Sequence, residues 1–130
     1  WKALAVPYEG SFWSGIALAD GTIVVVGMRG HVFRSVDGGD TWKQTQTGTE
    51  ASLSDIARLG DGSLVAVGAG GTVVHSRDGG ETFRASTEAE RRSLSSVAEG
   101  EAGHLLLFGD AGVFGFATDD LDAAADARDR

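Results

Sequence analysis

No cysteine occurs in this chain, which excludes disulfide cross-links and thiolate metal ligands without assigning a compartment, since exported proteins of this size need not use disulfides. Proline occurs once, which argues against a flexible linker. Long apolar runs are missing too: the longest, such as 23–26 and 105–108, are strand-sized and fall far short of the roughly 20 residues that span a bilayer as a helix. The sequence as it stands shows no charged-then-apolar leader with a small-residue cleavage site. Basic residues are scarce, 11 against 19 acidic ones, and a net charge of -8 argues against a nucleic-acid surface, which needs clustered Lys and Arg to displace counterions from phosphates.

What the chain has in excess is glycine, 20 of 130 residues, spread among short apolar stretches. That combination indicates many tight turns between short strands, an all-β fold within one globular domain. From Thr118 onward five Asp and two Arg are interspersed with alanine without a sustained apolar stripe, as in a solvated acidic tail or a frayed helix.

An internal repeat organises everything before that tail. Ser35, Asp37, Gly39, Thr41 and Trp42 return as Ser76, Asp78, Gly80, Thr82 and Phe83, each displaced by 41 positions. Gly27 and Gly30 return as Gly68 and Gly71 and again as Gly109 and Gly112, while Trp1 and Lys2 stand one period before Trp42 and Lys43. Within a period, four strand-like stretches are separated by turn residues, the pattern of a four-stranded antiparallel propeller blade. Strands are predicted over 15–19, 22–26, 31–36 and 41–45, over 53–58, 63–67, 72–77 and 82–85, and over 94–98, 104–108 and 113–117. The chain therefore divides into the outer strand of a preceding blade (1–6), blades over 7–46 and 47–86, a degenerate blade over 87–118 and an acidic disordered tail (119–130). The third copy has lost its serine and second glycine, now Ala117 and Leu121.

The string from Ser35 to Trp42 resembles the Asp-box or BNR repeat, Ser-x-Asp-x-Gly-x-Thr-Trp. The longer frame, Gly27, Gly30, Val32, Phe33, Arg34 and Ser35 running into Asp37-Gly38-Gly39, is similar to the photosystem II stability and assembly factor-like propellers, which are widespread in bacteria. The resemblance implies β-propeller blades in a ring of more than three, usually exported to the periplasm or beyond, without a cofactor, and engaged in protein binding or assembly. On physical grounds the box aspartates accept backbone N–H groups across a tight turn while the glycines supply φ > 0. Trp42 and Phe83 are expected to pack between blades.

Catalytic readings have little to stand on. Gly68, Gly70 and Gly71 complete no phosphate-binding motif, since their counterparts in the other copies mark them as a repeated turn. His31, His75 and His104 fall at different phases without metal-type spacing, so no metal is expected. A sialidase, which carries the same box, needs arginines converging on a carboxylate together with a tyrosine and an acid. Arg29, Arg34, Arg58, Arg77 and Arg84 are scattered in phase. The second reading, a fragment of a sialidase-like glycoside hydrolase, thus places the catalytic residues outside this chain.

In an up-and-down blade the connections between blades share a face with the loop after the second strand, opposite Asp37 and Asp78. On that face the expected partner-binding residues are Tyr8 and Trp13 from the first interblade loop, Arg29 from the glycine turn, and Arg91 and Arg92 from the third connection, because aromatic and arginine residues dominate binding hot spots. Burial of Phe12 and Trp13 between blades is the competing reading. Three blades do not close a ring of the usual four to eight, so either these blades belong to a larger propeller, or two chains exchange the 1–6 strand and form a ring with two-fold symmetry.

Overall fold

The computed structural model describes residues 3–8, 10–87, 91–101 and 103–118. Its strands are β1 (Phe12–Ala17), β2 (Ile23–Gly27), β3 (Val32–Ser35), β4 (Lys43–Thr45), β5 (Leu53–Arg58), β6 (Leu64–Gly68), β7 (Thr72–Ser76), β8 (Arg84–Thr87), β9 (Leu94–Glu99), β10 (His104–Gly109) and β11 (Gly112–Ala117). They form antiparallel sheets β1-β2-β3-β4, β5-β6-β7-β8 and β9-β10-β11, which are successive propeller blades. No helix among the described residues is long and apolar enough to cross a membrane.

Blades stack because alternate residues of each strand point to opposite neighbours. Val24, Val26 and Val32 of blade 1 pack on Leu53, Ile56, Leu64, Ala66 and Val74 of blade 2. One period later, Val65, Val67 and Val73 of blade 2 pack on Leu94, Val97, Leu105 and Leu107 of blade 3. Blade 2 lies between two neighbours, so every residue of β6 and β7 is buried. Each buried Val or Leu contributes about 1.5–3 kcal/mol. Phe83 packs against the first of these clusters, as expected of a residue between blades.

Each inner strand carries the same irregularity. Pairing skips Trp13 between Phe12 and Ser14, Ser54 between Leu53 and Asp55, and Ser95 between Leu94 and Ser96. Opposite stand Gly27, Gly68 and Gly109, where an added Cβ would lie 2.2, 1.9 and 2.1 Å from the carbonyl oxygens of Ser11, Ser52 and Ser93. Glycine is there because a backbone carbonyl occupies the space of a side chain, the usual partner of a bulge.

The box turns connect β3 to β4 and β7 to β8. Ser35 Oγ donates to Asp37 Oδ1 (2.8 Å) and accepts from Gly39 N (2.9 Å), while Asp37 Oδ1 also accepts from Thr41 N (2.9 Å). Ser76, Asp78, Gly80 and Thr82 repeat this set with the same distances. Trp42 Nε1 donates to Gly39 O within its own turn. Hydrogen bonds from the Thr41 hydroxyl, the Thr41 amide and the Ser35 hydroxyl lower the Asp37 carboxyl to about 2. At Asp78 burial opposes the shift, but Thr82 and Ser76 outweigh it and the carboxyl again titrates below its ordinary range. A depressed folded-state value means that this stabilisation is complete above the ordinary value of 3.8 and is lost as pH falls through about 2. Melting temperature is therefore expected to fall steeply from about pH 4 to about pH 2, and Asp37→Asn should lower it at neutral pH and flatten that slope in a thermal-melt series.

Blade 3 departs from the repeat in a way that spacing conceals. In blades 1 and 2 the β2–β3 and β6–β7 hairpins open with a 3-10 turn, Met28–Gly30 and Ala69–Gly71. In blade 3, Gly109 pairs directly with Gly112 and only Asp110 and Ala111 form the turn. The shorter turn slips the register by one residue, so that Phe114 lies opposite Leu107 where Phe33 lies opposite Val25. A one-residue slip exchanges the two faces of a strand. Phe114 and Phe116 consequently join the cluster shared with blade 2. Among the described residues blade 3 has three strands, β9, β10 and β11, and three were predicted for this degenerate copy. The expected tail over 119–130 lies outside the described residues.

Of the outer strand expected over 1–6, residues 1 and 2 lie outside the described residues, and residues 3–6 carry no strand pairing. The segment turns instead, through Val6 N–H to Leu4 O and Tyr8 N–H to Val6 O bonds, and lies on the outer face of blade 1. Leu4 reaches the first box, where its Cδ1 is 2.6 Å from the position of a Cβ on Gly39. Tyr8 stacks on Phe33 with 5.5 Å between ring centroids.

Candidate functional site

On the face bearing the β2–β3 turn and the interblade connections, the turn of one blade bonds to the next. The amide of Arg29 donates to Ser52 Oγ (3.3 Å), and one period later the amide of Gly70 donates to Ser93 Oγ (3.2 Å). Both donors have left-handed backbone, φ 58 at Arg29 and φ 65 at Gly70. Glycine adopts this conformation freely, whereas arginine there costs about 1 kcal/mol. Blade 1 thus carries a strained arginine where blade 2 carries the residue that fits.

Arg29 lines a cavity of about 560 Å³. His31 stands beside it, and Gln44, Thr47 and Glu50 form the opposite wall from the outer strand and the connection to blade 2. The buried hydroxyl of Thr47 donates to Gly30 O (3.0 Å) and fixes that wall to the turn. The Nδ1 atom of His31 is buried without a hydrogen-bond partner among the described residues. Tyr8 covers the imidazole from the other side, 4.5 Å between ring centroids. The result is a polar, half-open cleft with one cation, one carboxylate, amides, a hydroxyl and an unsatisfied imidazole nitrogen, suited to polar backbone and side-chain groups.

Of the residues expected on this face, Arg29 and Tyr8 come together around His31. Trp13 does not lie in an interblade loop: the inner strand begins at Phe12, earlier than expected, and Trp13 is the skipped residue of its bulge, 53% exposed. Arg91 begins the connection into β9, one blade further round, with φ 55. The Arg92 guanidinium lies 3.8 Å above the Phe114 ring. Such a cation–π contact occupies the face of the cation that a ligand would use.

Sequence reasoning weighed His31, which is alone at its phase, only as a metal ligand, and it passed over Asp55. Asp55 Oδ1 accepts from Ser14 Oγ (3.0 Å) in blade 1, and Asp55 Oδ2 accepts from Ser96 Oγ (2.9 Å) and Val97 N (3.0 Å) in blade 3. Its signal was present: Ser14, Asp55 and Ser96 stand one period apart on the three inner strands. A further cavity of about 670 Å³ lies beyond Gln44, between β4 and the second box, where Arg34 Nε donates to Gly79 O (2.9 Å) and approaches Glu81 at 3.9 Å. No group of three His, Asp or Glu side chains that could hold a metal ion occurs among the described residues.

No protein-family model matches the chain, and no curated protein matches it in sequence. In structure it is similar to YCF48 from Cyanidioschyzon merolae, with a TM-score of 0.77 and 20% identity over 91% of this chain and 37% of that one. YCF48 bound to D1 peptide gives 0.61 and 21% over 90% of this chain and 38% of that one. An ancestral GH74 enzyme gives 0.69 and 17%, covering 85% of this chain and 17% of that one. These likenesses show the β-propeller fold, and the chain spans well under half the length of each structure.

Proposed function

We propose that these blades act as a non-catalytic binding or assembly module, taking a segment of a protein partner on the turn-bearing face in the cleft between the β2–β3 turn of blade 1 and the connection that leads to blade 2. The observation that carries this reading is Arg29, held at φ 58 over the cleft although its counterpart one period on is glycine. Strain kept at one position of a repeat marks a side chain retained for what it touches. The likeness to a propeller bound to a peptide supports the same reading. Box carboxylates held by three hydrogen bonds are turn elements and leave little capacity for acid–base chemistry.

Arg29→Gly separates the two roles of the position. It should raise stability by about 0.5–1 kcal/mol by relieving the backbone. The same change should weaken peptides selected from a random displayed library by tenfold or more, with Trp13→Ala as a second variant on the chain. Selected peptides that bind wild type and Arg29→Gly equally would remove this cleft as the site. The second reading, part of a glycoside hydrolase, is favoured by the likeness to a GH74 enzyme. It requires turnover of a chromogenic glycoside or sialoside by a protein containing these blades, which the binding reading does not.

A further inference from the structure

We propose that the outward edge of β4 accepts an extended segment of a protein partner as a fifth strand of blade 1, with alternate side chains seated in the groove between β4 and the second box. The groove lies across Gln44 from the Arg29 cleft and is lined by residues between Arg34 and Phe83 alone. The fourth strand of an up-and-down blade faces the rim of the ring, and among the described residues β4 is paired along one edge only, with β3. Its other row of backbone N–H and C=O groups is the template that strand addition uses.

Both walls of the groove are in place without a ligand. Val32 and Arg34 turn toward blade 2, Val32 in the shared cluster and Arg34 through its bond to Gly79 O (2.9 Å). Thr45 and Lys43 stand directly opposite them, so they share that face and line the cavity of about 670 Å³. Glu81 and Phe83 form the far wall, and Thr82 between them is held by Asp78. A groove ordered in this way loses little conformational freedom when it binds.

Charge selects the occupant. Arg34 and Lys43 are like charges at directly opposed positions, an arrangement that destabilises a sheet. Arg34 is answered by Gly79 O and by Glu81 at 3.9 Å, whereas Lys43 has no ion pair among the described residues. In a chain of net charge -8, two adjacent cations in a groove lined by a single carboxylate complement one more carboxylate from the partner. The half-buried ring of Phe83 adds apolar surface to the same groove. Side chains on one face of a strand recur at every second residue, so the segment carries an acidic and an apolar residue two positions apart.

The test is a random displayed peptide library selected on the Arg29→Gly chain, which keeps this groove and lacks the cleft arginine. Enriched peptides should carry an acidic residue two positions from an apolar one. Lys43→Glu in the same background should weaken the synthesised peptides by about tenfold or more in a fluorescence-polarisation titration. Strand addition also imposes a period of two on the ligand. N-methylation of successive peptide amides should abolish binding at every second position and spare the others, because only alternate amides face β4. The scan needs no Lys43 variant, so misfolding of that variant does not shield the idea. Failure to enrich any peptide, equal affinity for the Lys43→Glu chain, or a scan without alternation overturns the proposal. Lys43-dependent binding of an acidic oligosaccharide in place of peptides would give the groove to another ligand class and overturn it as well.

Discussion

Gly68→Ala is expected to lower the melting temperature by roughly 10 °C or more, a loss of about 3 kcal/mol. The backbone at Gly68 is extended, φ -172, so conformational preference is not the reason. The added methyl would stand 1.9 Å from Ser52 O and 2.9 Å from Leu53 Cα, and neither is a flexible side-chain end that could swing away. Relief requires moving β5 from β6 at the bulge, which pulls Leu53 and Leu64 out of the cluster that joins blades 1 and 2. Gly70→Ala, two residues on, is the control: it has φ 65 but nothing within 4 Å, and should cost only about 1 kcal/mol. Equal melting temperatures for the two variants would show that contact at the bulge is not what glycine serves there.

The second large effect is expected at Asp55. Asp55→Ala removes the acceptor for two hydroxyls and one strand-edge amide on both neighbouring blades, so it weakens two boundaries at once. Removing one partner costs more than the bond itself contributes, because the groups left behind are partly withdrawn from water. For a half-buried site the loss should be about 2 kcal/mol. Ser14→Ala and Ser96→Ala should each cost less than half of that, since each touches one boundary. In amide exchange, protection at Val97 N–H should fall in Asp55→Ala and survive in Ser14→Ala. A protected Val97 in Asp55→Ala would refute the bridging role.

Most of the fold could be read before the structure because the repeat constrains many residues in the same way. Glycine pairs, box residues and alternating valines recur at one interval, and β2, β3, β5, β6 and β7 fall within a residue or two of their expected spans. What escaped were features in which one copy differs physically from the others. The slip in blade 3 leaves the glycine spacing intact, since Gly109 and Gly112 keep their interval while their role changes from lying within a five-residue connection, as Gly27 and Gly30 do, to closing a two-residue turn. Trp13 was placed in a loop because the skipped residue breaks the alternation that identifies a strand. Asp55 was unremarked because a carboxylate flanked by serines at matching phases gains meaning only when inner strands lie side by side. At the cleft the sequence singled out Arg29 and Tyr8 by residue type. It could not show that Arg29 is strained or that His31 Nδ1 lacks a partner, for both are properties of backbone path and burial.

The hydrogen bonds that tie one blade to the next join residues 23 to 45 positions apart, between Arg29 and Ser52 at one extreme and Arg34 and Gly79 at the other. Such an arrangement behaves as a one-dimensional array of coupled units, each stabilised by its immediate neighbours. Ordering can begin in any sheet and spread outward without waiting for the chain ends to meet, so assembly is paced by closure of single-repeat loops. The middle unit, clasped from both sides, should be the last to melt and the earliest to gain protection during refolding.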